Sequence, residues 1–167
     1  MIPVIAIIGH QDSGKTRLLV EVIPLLVERG YRVGTVKHAP HLEDVERPDS
    51  DSDQHLAAGA SRVLLRGERV SSLTWEHEAD DLPADLERLF TGCDVVLVEG
   101  FKHGPWPKIE VFRRGRELRR EPLAGEIDVV AVVTSDHVAL PDGVLAISPR
   151  DREAILRLLE ELIAAAG

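Results

Sequence analysis

Cysteine is nearly missing from the 167-residue chain, in which Cys93 stands alone. A single thiol excludes an intramolecular disulfide framework and a cysteine-rich metal site, and it fits a reducing compartment. An excess of positive charge is missing too. The 20 lysines and arginines are outnumbered by 29 aspartates and glutamates, for a formal net charge of −9. That balance argues against nucleic-acid binding through a broad basic surface. Long apolar runs are also absent. The run from Ile2 to Ile8 is far shorter than the roughly 20 residues that cross a bilayer. The N-terminus has neither the basic region nor the longer apolar stretch of an export signal. The expectation is a soluble, cytoplasmic protein with no nucleic-acid or membrane partner. No repeat, low-complexity tract or linker interrupts residues 1–167, which read as one domain of ordinary globular composition, 44% hydrophobic and 29% charged.

What is present is an alternation of strand-like and helix-like segments. Val4 to Ile8 is short, β-branched and continuously apolar, as a strand buried on both faces requires. Lys15 to Arg29 carries Leu18, Leu19, Val22, Ile23, Leu25 and Leu26 at helical spacing. Pro24 predicts a kink within it, and Gly30 a stop. Further strands are expected over Tyr31–Lys37, Ser61–Arg66, Val70–Trp75, Asp94–Val98, Lys108–Arg113, Ile127–Thr134 and Val144–Ile147. Helices are expected over Asp51–Ala58 and Asp81–Phe90, with a polar loop from His38 to Ser50. A last helix begins with Ser148 as N-cap, Pro149 in the first helical position and Asp151 three residues after the cap. The pattern predicts an α/β fold, a three-layer domain of the P-loop NTPase type. It has a mainly parallel central sheet and a β-rich insertion around residues 61–80.

The chemistry concentrates between the first strand and the first helix. Gly9, His10, Gln11, Asp12, Ser13, Gly14, Lys15 and Thr16 spell G-x-x-x-x-G-K-T in full. Glycines let the backbone wrap phosphate oxygens, and successive N–H groups and the helix N-terminus supply positive potential. Lys15 is expected to reach the β and γ phosphates and Thr16 to place its hydroxyl on Mg²⁺, with Arg17 following them into the site. A second acid is expected at the end of a neighbouring buried strand, and Val95-Val96-Leu97-Val98-Glu99-Gly100 provides Glu99. Glu99 can join the magnesium shell or orient a water.

Base recognition is less clearly written. No Asn-Lys-x-Asp run occurs. Asp136, in Thr134-Ser135-Asp136, ends an apolar strand, and a carboxylate there can accept guanine N1–H and the N2 amino group while repelling adenine N1. The plainer reading is an Asx turn closing the strand. In the acidic loop, Asp44 or Asp51 can join the magnesium shell through water. His38, His41 and Asp44 make a weaker transition-metal alternative without a thiol. Arg113, Arg114, Arg116, Arg119 and Arg120 surround Gly115, as a solvated hairpin or a seat for a phosphate-bearing substrate or acidic partner.

Together these pieces resemble the molybdopterin-guanine dinucleotide biosynthesis protein B family, MobB. The likeness rests on the early phosphate loop and on Lys37-His38 with His41, Asp44, Pro48, Asp51-Ser52 and Ala58-Gly59-Ala60. It rests also on Val98-Glu99-Gly100-Phe101-Lys102-His103 followed by Lys108-Ile109. It covers the chain from its start to about Arg113. Pro40 and Leu42 depart from the pattern. The resemblance implies a GTP-binding accessory protein with weak GTPase activity, using Mg²⁺ and assembling as a homodimer. It implies work beside a MobA-type guanylyltransferase that converts molybdopterin to its guanine dinucleotide, with molybdopterin itself a possible ligand. It implies that Gly14, Lys15 and Thr16 meet phosphate and magnesium, that Glu99 is the Walker B acid, and that Lys37, Asp51 and Lys102 line the site. Two other classes stay open: a metallochaperone GTPase delivering a soft ion, and a small-molecule kinase whose arginine cluster closes over the phosphates.

Overall fold

A computed structural model of the chain describes residues 1–39, 50–75, 82–115 and 121–166. Two compact units emerge, one formed by Met1–His38 with Ala84–Gly167, the other by Ala39–Pro83. The first is built on a six-stranded sheet in which every neighbouring pair is parallel. Its strands are β1 Val4–Ile8, β2 Val33–Lys37, β5 Val95–Glu99, β6 Lys108–Val111, β7 Ala131–Val133 and β8 Leu145–Ile147, in the order β2-β5-β1-β6-β7-β8. The β-branched run of β1 lies between β5 and β6 with Ile5, Ala6, Ile7 and Ile8 all buried, as a strand covered on both faces demands. Each fully buried isoleucine there contributes about 1.5–3 kcal/mol.

Alternation sorts the two faces. Ile5, Ile7, Val95, Leu97, Ile109 and Val133 point to one side, where α1 Lys15–Glu28 and α4 Arg152–Ala166 pack with Leu18, Leu19, Val22, Leu26, Ile155 and Leu159. Ala6, Ile8 and Val132 point to the other, under Phe112, Ala124 and Val129. Helix α1 runs on through Pro24 and ends at Arg29, the next residue, Gly30, taking φ +92°. Helix α3 Leu82–Leu89 brings Phe90 over β2, where Gly34 leaves room that any Cβ would fill. Arg29 bridges to Glu153 and Glu160, and so ties the end of α1 to α4.

Two expectations are corrected here. Helix α4 starts at Arg152, not Pro149. Asp151 is its cap, its Oδ1 accepting the Ala154 N–H at 3.0 Å, whereas Ser148 closes a preceding turn by accepting from Asp151 and Arg150. The aspartate wins because its carboxylate sits next to the first free N–H groups, where negative charge is favoured. The strand expected over Ile127–Thr134 is only Ala131–Val133. Leu123–Gly125 forms a 3-10 turn, and Ile127 donates back to Leu123. Here Leu123, Ile127 and Val129 cover the sheet instead of extending it.

The second unit holds α2 Asp51–Ala57 and the antiparallel hairpin β3 Val63–Arg66 with β4 Ser71–Thr74. Ser50 caps α2, accepting from the Asp53 N–H at 3.2 Å. The hairpin presents Leu64, Leu65, Val70 and Leu73 to solvent. Residues 116–120 are outside the described set, and so are the parts of the sequence reading that fall on Pro40, His41, Leu42, Asp44, Pro48, Arg116, Arg119 and Arg120.

Candidate functional site

Because all six strands run the same way, their carboxyl ends share one edge, and loops there face a common crevice. The phosphate loop leaves β1 at the middle of that edge, between the ends of β5 and β6. Its backbone explains its glycines. Gly9 takes φ +147°, and a Cβ would run into the Val111 carbonyl and Ser13 Oγ. Gly14 takes φ +104° as it turns into α1. Asp12 adopts φ +59° without being glycine, an arrangement that aspartate tolerates better than most residues.

Side chains converge on this turn. Lys15 Nζ donates to the carbonyls of His10 at 2.7 Å and Gly9 at 3.2 Å, so the amine lies across the loop. Burial pulls the Lys15 ammonium below its ordinary pKa, while Glu99 and Asp12 oppose that fall and Lys37 adds to it. Thr16 Oγ1 donates to Glu99 Oε1 at 2.7 Å. Glu99 is buried, with Lys37 Nζ at 3.9 Å. Ser13 Oγ is buried with no hydrogen-bond partner among the described residues, an orphan that a phosphate oxygen would satisfy. A hydroxyl and a carboxylate side by side are hard oxygen donors. They suit Mg²⁺, which keeps waters and phosphate oxygens as its remaining ligands. Among the described residues, no cluster of three His, Cys, Asp or Glu side chains could hold a metal by itself.

After Glu99 the chain turns sharply. Gly100 has φ +94° and Phe101 φ +55°. The Phe101 ring meets His38 edge-on at 4.8 Å between centroids and Trp106 at 5.4 Å. His38 is thereby part of an aromatic cluster at the ends of β2 and β5, a use that the metal reading of its ring did not include. Lys102 is exposed on the same turn. Asp51 lies in the other unit, exposed on the first turn of α2.

On the opposite flank of the loop is a cleft of about 630 Å³ lined by Ser13, Gly14, Arg17, Val111, Phe112, Arg113, Val133, Ser135, Pro149, Arg150 and others. Arg17 reaches it but is shared with Glu21 at 3.0 Å, and Glu21 also meets Arg152 at 3.4 Å. The Arg17 hydrogen bond holds the Glu21 carboxyl below its usual range, with burial opposing and Arg152 assisting. Asp136 stands beside this region, its Oδ2 accepting the Arg114 N–H at 2.7 Å and its own N–H donating to Thr134 Oγ1 at 3.0 Å. It therefore ties the exit of β7 to that of β6. Sequence reasoning assigned none of Ser135, Pro149 and Arg150 to the site, reading Pro149 only as the start of a helix. The loops after β7 and β8 would have drawn attention only once strand order put them beside the phosphate loop.

A profile of the family described as molybdopterin guanine dinucleotide synthesis protein B, MobB, matches residues 4–135. The chain belongs to that family. It is 37% identical over 152 residues to the molybdopterin-guanine dinucleotide biosynthesis adapter protein of Escherichia coli strain K12, covering 89% of this chain and 87% of the relative. A crystal structure of molybdopterin-guanine biosynthesis protein B (mobB) superposes with a TM-score of 0.73 at 26% identity, covering 95% of this chain and 99% of the other. Bacillus subtilis MobB shares the fold at a TM-score of 0.73 and 23% identity, over 96% and 98% of the two chains.

Proposed function

We propose that the chain is a GTP-binding adaptor in the maturation of the molybdenum cofactor, assisting a MobA-type guanylyltransferase as molybdopterin becomes its guanine dinucleotide. The observation that carries this reading is the assembled phosphate site, in which Gly9–Thr16 curl beneath Lys15 and Thr16 bonds Glu99 at 2.7 Å. In this reading Ser13 and the loop N–H groups hold phosphate oxygens, Thr16 and Glu99 hold Mg²⁺, and Lys37 balances the charge near Glu99. The ion supplies charge neutralisation at the phosphates. The cleft along Ser135, Pro149 and Arg150 takes the nucleoside, with Asp136 at its edge offering its second carboxylate oxygen to guanine. Hydrolysis is slow in this reading, because among the described residues the cations near Glu99 are Lys15 and Lys37, and an arginine finger accelerates such reactions by about 10³–10⁵-fold.

The adaptor reading includes a homodimer, supported by the exposed apolar side chains of the β3–β4 hairpin. It includes a cytoplasmic location, supported by the lone cysteine and by the finding that no described helix is long and apolar enough to cross a membrane. Calorimetry with GTP, GDP and ATP in Mg²⁺ tests the core of it, with Lys15→Ala as control. Preference for GTP, abolished in the control, is expected. Equal or better binding of ATP would remove Asp136 as a base reader and turn attention to a kinase.

A further inference from the structure

Glu110 lies in the middle of β6, fully buried, beside Ile8 of β1 and Val132 of β7. It shares an apolar face with Ala6, Ile8 and Phe112. A carboxylate taken out of water is costly unless its lone pairs are met. Both of its oxygens are met by backbone. The Leu123 N–H donates to Oε1 at 2.8 Å and the Ala124 N–H to Oε2 at 3.0 Å. Had the 3-10 turn needed only a cap, a surface serine or aspartate next to it in sequence would have served. Glu110 instead fastens that turn to the centre of the sheet.

The segment so fastened touches the phosphate loop. Just upstream of Leu123, the Glu121 carbonyl lies 3.0 Å from His10 Nε2, a hydrogen bond in which the ring N–H donates. His10 is the second residue of the loop, and its own carbonyl accepts from Lys15 Nζ at 2.7 Å. Ile8, registered against Glu110, is the residue before Gly9. The loop is thus flanked on one side of Gly9 by the backbone pairing of β1 with β6, and on the other by residues 121–124, which the Glu110 side chain fastens to the sheet.

We infer that Glu110 is a positioning residue for nucleotide binding, anchoring Leu123 and Ala124 so that the Glu121 carbonyl holds His10 and, with it, the phosphate loop. The inference rests on the nucleotide reading given above. Its test is a double-mutant cycle on the full chain, reading GTP affinity by calorimetry with Mg²⁺ and melting temperature alongside. Glu110→Gln keeps the size of the side chain but turns an NH₂ toward one of the two donors, and His10→Ala removes the far end of the link. Each is expected to weaken GTP by about tenfold, the loss of one charge-assisted or loop-ordering hydrogen bond. The double variant is expected to lose no more than the weaker single, because both changes break one connection. Independent losses that multiply, or a Glu110→Gln protein that melts lower yet binds GTP normally, would overturn the role. Should Glu110→Gln fail to fold, the wild-type His10 ring decides by nitrogen NMR. A hydrogen-bonded Nε2–H supports the link, and a ring protonated at Nδ1 or free in solvent overturns it. Wild-type protein that bound no GTP would instead sink the nucleotide reading itself.

Discussion

Glu99 shows how much one side chain can gather. It receives the Thr16 hydroxyl, stands near Lys37, and offsets the burial of Lys15. Glu99→Gln keeps the shape and removes the charge. The expected outcome is binding of GTP that no longer improves when Mg²⁺ is added, measured by titrating the metal at fixed nucleotide. A Mg²⁺ response equal to that of the wild type would remove Glu99 from the metal shell. Asp94 illustrates a purely structural acid. It accepts the Arg32 N–H at 2.7 Å and pairs with the guanidinium at 3.0 and 2.9 Å. Those bonds hold its carboxyl at about 2, below the ordinary 3.8. A depressed folded-state pKa adds stability that is present above the unfolded value and fades as pH falls through the folded one. Asp94→Asn is therefore expected to lower the urea midpoint at pH 7, and the gap to wild type should close between about pH 4 and pH 2. A gap that stays constant down to pH 2 would contradict the pairing.

Elements depend on their ends and edges. Helix α4 begins where Asp151 meets the Ala154 N–H, so Asp151→Ala should cost about 1 kcal/mol, seen as a lowered melting temperature. Ser148→Ala is expected to cost less, since Ser148 closes only the preceding turn. The hairpin raises a different question. Leu64 and Leu73 sit directly opposite each other, 60% and 42% exposed, and this apolar cross-strand pair is where the proposed homodimer would make contact. On the proposed homodimer, Leu64→Lys with Leu73→Lys should give monomeric mass by light scattering where the wild type is dimeric, without lowering GTP affinity. A species of dimeric mass in the double variant would place the interface elsewhere.

For the molecule as a whole, a ligand that binds only the folded state raises stability by mass action. GTP at a hundred times its dissociation constant is expected to add about 2.7 kcal/mol to unfolding, and the added stability should be absent in Lys15→Ala. The shift should require Mg²⁺ and exceed that given by equal ATP. An equal shift in Lys15→Ala would mean that the nucleotide binds away from the loop.

The Gly9–Thr16 turn between β1 and α1 was legible in the sequence, because Gly9 and Gly14 stand where the backbone takes positive φ, and so were the buried strands, because a parallel strand covered on both faces needs an unbroken apolar run. The sequence also placed Glu99 correctly at the end of such a strand. Local signals were weaker where two residues compete for one duty, as Ser148 and Asp151 do for the cap of α4. They were weaker again where apolar residues cover a sheet without extending it, as Leu123 to Val129 do. What strand order controls is written in no local signal. Order puts β7 and β8 on the β6 side of the phosphate loop, sets Arg150 and Ser135 from their following loops along one cleft with Ser13 and Gly14, and turns Asp136 toward the Arg114 N–H. It also places Glu110 in the centre of the sheet, within reach of Leu123 and Ala124. None of these neighbours is near in sequence, and periodicity records which face a residue takes but not what that face meets.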